Sequence, residues 1–204
     1  MRDGSAERRG RKPPVWSTLS RCGRFRLSPG AGPVSHEAHK AAAPVSVGCA
    51  VLTISDTRTE ATDRSGRAIA ELLAGKGHRV VSREIVPDEP DEARATIARW
   101  LEMADIDVVI TTGGTGIAPR DGTYEVVDGL IEKHLDGFGE LFRWLSYRDI
   151  GSAAMLSRAC AGTAGRSVIV ALPGSERAVR LAMTSLVLPE LGHLVGQLRG
   201  PVTR

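Results

Sequence analysis

Apolar and polar positions along this 204-residue chain follow two regimes. From Val45 onward, short apolar runs of strand length alternate with stretches whose apolar residues recur every three or four positions. Before Val45 no period is sustained. Residues 45–54, 80–86, 106–112 and 167–172 read as strands, each rich in β-branched residues. The helical patterns lie between them. Within residues 66–74, Ile69, Leu72 and Leu73 share a face, and Gly75 and Gly77 stop the run. Ala93, Ile97, Trp100 and Leu101 fall at i, i+4, i+7 and i+8. They follow Pro87-Asp88-Glu89-Pro90-Asp91-Glu92, where proline and acids suit a helix N-terminus. Residues 124–132 read as helix, and another begins after Gly137 with Phe138, Leu141, Phe142 and Leu145 on one face. Residues 152–158 read as a short helix or turn. A later helix carries Val179, Ala182, Met183 and Leu186, and Pro189 starts a final one.

Strands that alternate with helices predict a three-layer α/β/α domain with a mostly parallel sheet. In such a domain the ligand site lies at the carboxyl ends of the strands, where residues distant in sequence converge. The motifs at those ends are Ser55-Asp56, Asp88, the run Thr111-Thr112-Gly113-Gly114-Thr115-Gly116 leading to Arg120-Asp121, and Pro173-Gly174-Ser175. Glycine turns after a strand let the backbone approach an anion with free N–H groups. Each motif also has a plainer reading. Asp88 and Asp121 could cap helices, Ser55 and Asp56 could form a turn, and Pro173-Gly174 could be a corner. Arg120 and Arg158 are either solvated charges or anion clamps, and Trp100 and Trp144 are expected to pack.

Charge divides the chain. Residues 1–43 hold nine Arg or Lys against three Asp or Glu, so the excess of +3 belongs to this segment and the remainder is mildly acidic. Residues 1–43 read as a disordered basic tail and residues 44–204 as the folded domain. A start at Val34, encoded as GTG, would remove most of that tail, and the 23 Arg against 4 Lys suit GC-rich coding. An acidic domain has no electrostatic footprint for nucleic acid. No uninterrupted apolar run approaches the length of a membrane span. Cys22, Cys49 and Cys160 are scattered and lack metal spacing, as in a reduced cytoplasmic compartment. Neither a Ser-His-Asp set nor a G-x-x-x-x-G-K-[ST] loop is present.

In these motifs the chain closely resembles the MoaB/Mog family of molybdenum-cofactor biosynthesis proteins. The carriers are Thr53-Ile54-Ser55-Asp56, Val86-Pro87-Asp88-Glu89, Thr111 to Gly116 with Arg120-Asp121, Gly137-Phe138-Gly139-Glu140, Leu156-Ser157-Arg158 and Leu172-Pro173-Gly174-Ser175. The stretch Phe138 to Leu156 looks more like the MoaB branch. The resemblance implies a molybdopterin adenylyltransferase that uses ATP and Mg²⁺ and releases pyrophosphate. It implies Asp88 and Asp121 as catalytic and Mg²⁺-holding acids. Thr112, Gly113, Gly114, Thr115 and Gly116 would cradle phosphate, and Ser55, Asp56, Ser157, Arg158, Pro173, Gly174 and Ser175 would hold pterin and its phosphate. It further implies a homotrimer or homohexamer that works beside other enzymes of the cofactor pathway. A catalytically inactive pterin carrier of the same fold is the alternative, and a domain of a molybdenum-insertion protein ranks third. Gly122 departs from the β-branched residue more usual there, and glycine would loosen the helix start by roughly 1 kcal/mol.

Overall fold

The computed structural model describes Lys40 and residues 43–200. The reading of residues 1–43 as a disordered tail therefore lies, apart from Lys40 and Ala43, outside the described residues.

Six strands form one sheet: β1 (Gly48–Ile54), β2 (Arg79–Val86), β3 (Val108–Thr112), β4 (Lys133–His134), β5 (Cys160–Ala164) and β6 (Ser167–Leu172). Their order is β2-β1-β3-β6-β5-β4. β2, β1, β3 and β6 run parallel, while β5 is antiparallel to β6 and β4 to β5. The helices are α1 (Arg64–Gly75), α2 (Pro90–Leu101), α3 (Thr123–Asp128), α4 (Asp136–Ile150), α5 (Glu176–Ala182) and α6 (Leu188–Arg199), with a 3₁₀ turn at Gly151–Leu156.

Every residue of β1, β3 and β6 is buried, which is why their sequences read as apolar runs rather than alternating ones. Alternation survives in the direction each side chain takes. Cys49 and Val51 of β1, Val108 and Ile110 of β3, and Val168 and Val170 of β6 enter the core beneath α1, α4, α5 and α6. Ala50, Leu52, Val109, Ile169 and Ala171 enter the opposite core with Ile97, Trp100 and Val126. The result is the three-layer α/β/α architecture expected from the sequence. β2 is a half-buried edge strand.

Some elements depart from the sequence reading. The helix expected over 124–132 ends at Asp128, capped by Gly129, and the chain turns into β4. β5 has no strand signal in the sequence. Its sequence Cys-Ala-Gly-Thr-Ala lacks the bulky β-branched residues that mark strands, and only its antiparallel pairing with β6 defines it. Gly165, at φ 56°, supplies the positive angle that this two-residue hairpin loop needs.

Pro189 does not open a separate helix. Residues Met183–Val187 form a π turn that joins α5 and α6 into one 24-residue helix, and Pro189 is absorbed just beyond it. By length and composition alone that helix could cross a bilayer, with a best 18-residue mean hydropathy of 1.2. It spends its apolar face on the core instead: Val179, Met183, Val187, Leu191 and Val195 are all buried.

Candidate functional site

β1 connects to β2 on one side and has β3 on the other, so the strand order reverses at β1. The carboxyl ends of β1 and β3 therefore part around a crevice, the usual ligand position in a doubly wound sheet. A cavity of about 350 Å³ occupies it, bordered by Ser55, Asp56, Arg58, Asp88, Gly114 and Gly174 among others.

Backbone packing forms this crevice. Ser55 N–H donates to the Val86 carbonyl (2.9 Å), and Asp88 N–H donates to Asp56 Oδ1 (3.0 Å), which ties the turn after β1 to the one after β2. Gly113 N–H donates to the Leu172 carbonyl (3.2 Å), and the buried Thr112 hydroxyl donates to the Pro173 carbonyl (2.9 Å). Gly113 sits at φ 101°, and a Cβ there would lie 2.2 Å from the Ile54 carbonyl oxygen. Gly114 sits at φ 60°, where a Cβ would meet Thr123 Oγ1 at 2.2 Å and Asp88 Oδ1 at 3.0 Å. Both positions need glycine, for the positive angle and for the close approach.

Acidic groups concentrate beside these turns. Burial raises the Asp88 carboxyl above the usual aspartate range, and the charges of Asp121, Asp56 and Glu89 add to the rise while Arg120 opposes it. Arg120 is ion-paired to Asp56 (3.3 Å) and Glu89 (2.7 Å), so it serves as an internal counter-ion to the cluster. Asp121 Oδ2 accepts the Ala118 N–H (2.7 Å) and lines an adjoining cavity of about 540 Å³ with Pro90, Arg94, Ile117 and Arg158.

Arg158 is pinned: it donates to the carbonyls of Thr115 (3.3 Å) and Asp121 (2.9 Å), pairs with Glu125 and stacks on the Tyr124 ring at 5.0 Å. It holds both ends of the loop from Thr115 to Asp121. Ser175 caps α5 by accepting the Ala178 N–H (3.2 Å), and Gly174 packs on Gly113, so that a Cβ would be 3.3 Å from its Cα. Thr115 is buried, Gly116 lies against the Asp121 carboxylate, and Ser157 makes a local contact to Ala159 N–H (3.5 Å). Gly122 has an ordinary negative φ, and a Cβ there would meet the Pro90 ring at 2.9 Å, so its small size lets α2 and α3 begin close together.

Asp63 carries a role the motif reading did not assign. It is fully buried and caps α1 through Gly66 N–H (2.8 Å), while its other oxygen accepts from Thr53 Oγ1 (2.9 Å) and Arg83 (2.8 Å). An aspartate just before a helical run is a capping signal. The bonds to β1 and β2 have no sequence signal. Cys49 and Cys160 are both pushed up to about 12, chiefly by burial, as suits structural thiols.

Among the described residues no three His, Cys, Asp or Glu side chains converge as a metal cage. The chemistry of the donor set still fits Mg²⁺, which binds through one or two carboxylates and completes its octahedron with water and phosphate oxygens. The carboxylates of Asp88 and Asp121 are such a pair, each beside a glycine turn whose missing side chain leaves room.

Comparison with known proteins matches this architecture. Residues 50–193 fit the model of a probable molybdopterin binding domain. Molybdenum cofactor biosynthesis protein B of Bacillus cereus is 54% identical over 161 residues, spanning 78% of this chain and 95% of that protein. A crystal structure of a molybdenum cofactor biosynthesis protein B superposes with a TM-score of 0.75 at 54% identity, over 77% of this chain and 98% of that one. The tungsten cofactor synthesizing protein MoaB of Pyrococcus furiosus superposes at 0.69 with 37% identity, over 78% and 100%. With almost the full length of these relatives covered, the chain belongs to the molybdopterin-binding domain family of molybdenum cofactor biosynthesis proteins, in its protein B branch.

Proposed function

We propose that this protein acts in molybdenum cofactor biosynthesis as a molybdopterin adenylyltransferase. The observation that carries the reading is the cluster of Asp56, Asp88 and Asp121 around glycine turns at the switch point, where the described lining holds carboxylates, hydroxyls and glycines but no Cys, His or Lys. In this reaction an oxygen of molybdopterin's terminal phosphate attacks the α-phosphorus of ATP. A P–O bond forms there, and the bond to the β-phosphate bridging oxygen breaks, so that pyrophosphate leaves. The nucleophile is already an anion, and the protein's task is alignment and charge compensation. Mg²⁺, held by Asp88 and Asp121, would supply neutralisation of the crowded phosphate oxygens. The backbone N–H groups of Gly113 to Gly116 would face phosphate, and Ser55 and Asp56 would border the bound pterin.

Oligomerisation to a trimer or hexamer belongs to the same proposal. Leu141, Trp144 and Tyr147 of α4 and Met155 and Leu156 of the 3₁₀ turn are all more than half exposed, an apolar surface suited to a second copy.

The test is pyrophosphate release from ATP and Mg²⁺ with and without molybdopterin. Release that requires molybdopterin, and that Asp88→Ala and Asp121→Ala abolish while leaving pterin binding in place, is the expected result. Pterin binding with no release would transfer the assignment to the carrier alternative.

A further inference from the structure

The crevice is charged differently at its two ends. Its carboxylate end gathers Asp56, Asp88 and Glu89, with Asp121 beside them; Arg120 is already paired to Asp56 and Glu89, and Arg158 is turned to backbone carbonyls and Glu125. By itself that end repels a nucleotide's phosphates, and one divalent cation offsets only part of the combined charge. The compensation lies next door. Past Gly174 and Ser65 the crevice opens into a cleft of about 580 Å³ whose walls carry Arg58, Arg64, Arg177 and Arg180. Three of these guanidinia face acids: Arg64 and Arg180 pair with Glu176 (3.0 and 2.9 Å), and Arg177 pairs with Asp149.

Arg58 differs from the rest. It borders both the crevice and the cleft, two residues beyond Asp56. One terminal nitrogen donates to the Thr62 carbonyl (3.1 Å), within its own turn, and among the described residues no carboxylate pairs with it. That bond orients the guanidinium and leaves its other N–H groups open to an anion. A planar fork of donors at the junction of a metal-binding end and an arginine-walled end matches a chain of phosphates that must touch both.

We infer that the arginine-walled cleft seats the phosphate chain of a nucleoside triphosphate, with Arg58 as the binding residue that passes the chain from the carboxylate end into the cleft. The inference rests on the adenylyltransferase reading and adds to it the direction of the substrate: the phosphates that leave lie toward Ser175 and Arg180, away from the loop that Arg158 holds.

The experiment is calorimetric titration of the full chain with inorganic tripolyphosphate, and separately with pyrophosphate, in the presence of Mg²⁺. Wild type, Arg58→Ala, Arg58→Glu and Arg58→Lys are compared, with thermal melting as a fold control. Arg58 is exposed, so all four should melt alike. Loss of one charge-assisted bond predicts roughly ten- to hundredfold weaker binding in Arg58→Ala, a larger loss in Arg58→Glu and partial recovery in Arg58→Lys. Wild-type affinity should also fall as salt is raised. Undetectable binding by wild type, or equal binding by all four proteins, overturns the inference. If binding depends on Arg58 but pterin-dependent pyrophosphate release is absent, the cleft stands and the adenylyltransferase reading falls. If release persists in Arg58→Glu with an unchanged KM for ATP, the cleft falls and the adenylyltransferase reading stands.

Discussion

Replacing Asp63 by Asn tests how the crevice is held in shape. The side chain is fully buried and accepts four hydrogen bonds, from Gly66 N–H (2.8 Å), the Ser65 hydroxyl (3.2 Å), Thr53 Oγ1 (2.9 Å) and Arg83 (2.8 Å). Asparagine keeps an oxygen for the first two, so the cap of α1 survives. Its amide nitrogen then faces Arg83, donor against donor, and the charge is gone. A charge-assisted bond contributes about 1.5–3 kcal/mol. Arg83 keeps partial access to water, which places the loss in the lower part of that range, about 2 kcal/mol. Asp63→Ala also forfeits the cap, about 1 kcal/mol, and leaves the Thr53 hydroxyl unpaired, for a total of about 4 kcal/mol. For a domain of this size Asp63→Asn should lower Tm by about 4–8 °C. Burial alone would raise the Asp63 carboxyl, but Arg83, the Gly66 N–H and Thr53 together hold it below the ordinary aspartate range. A lowered folded-state pKa gives stability that is present above the unfolded value and lost as pH falls through the folded one. The gap between wild type and Asp63→Asn should therefore be full at pH 7 and close in acid, as pH falls through the lowered folded-state value. Urea denaturation followed by circular dichroism, at one protein concentration, reads both values. A gap below about 0.5 kcal/mol at pH 7, or one that persists unchanged in acid, would refute the reasoning.

Four further outcomes follow from the geometry. Gly113→Ala forces a Cβ to 2.2 Å from a backbone oxygen at φ 101° and should cost about 3 kcal/mol or more, whereas Gly75→Ala, with nothing within 4 Å, should be neutral or stabilising by up to about 1 kcal/mol; paired denaturation curves check this. Carboxyl-carbon NMR should show Asp88 titrating above an ordinary aspartate, and Asp56→Asn, by removing a neighbouring charge, should bring it down; under the proposed adenylyltransferase reading, turnover should fade as pH drops through the raised value. Arg158→Ala frees both ends of the 115–121 loop, and steady-state kinetics should show kcat falling at least tenfold with a smaller change in KM for ATP, partly restored in Arg158→Lys. Trp144→Ser together with Leu141→Asp should shift the sedimenting species toward monomer without unfolding it, because both side chains are more than half exposed.

The sequence by itself determined the alternation of strands and helices and therefore the three layers. It also determined the convergence of four strand-end motifs on one rim, since a parallel sheet gathers its carboxyl ends whatever the details. β6 at Ser167–Leu172 is read off directly, and α1 and α2 within two or three residues, because these elements are long, apolar and periodic. Only the tertiary structure decided the rest. β5 is a run of small residues with no strand signal of its own, made a strand by the hydrogen bonds β6 offers it. Pro189 reads locally as a helix start, yet packing of Met183, Val187 and Leu191 into the same core carries the helix through a π turn. Arg158 and Arg58 look alike in one dimension. Folding turns the first inward, onto two carbonyls and a ring, and leaves the second with a single carbonyl bond at the mouth of the crevice. A side chain's partners come from elements far away in the chain, and local pattern carries no record of them.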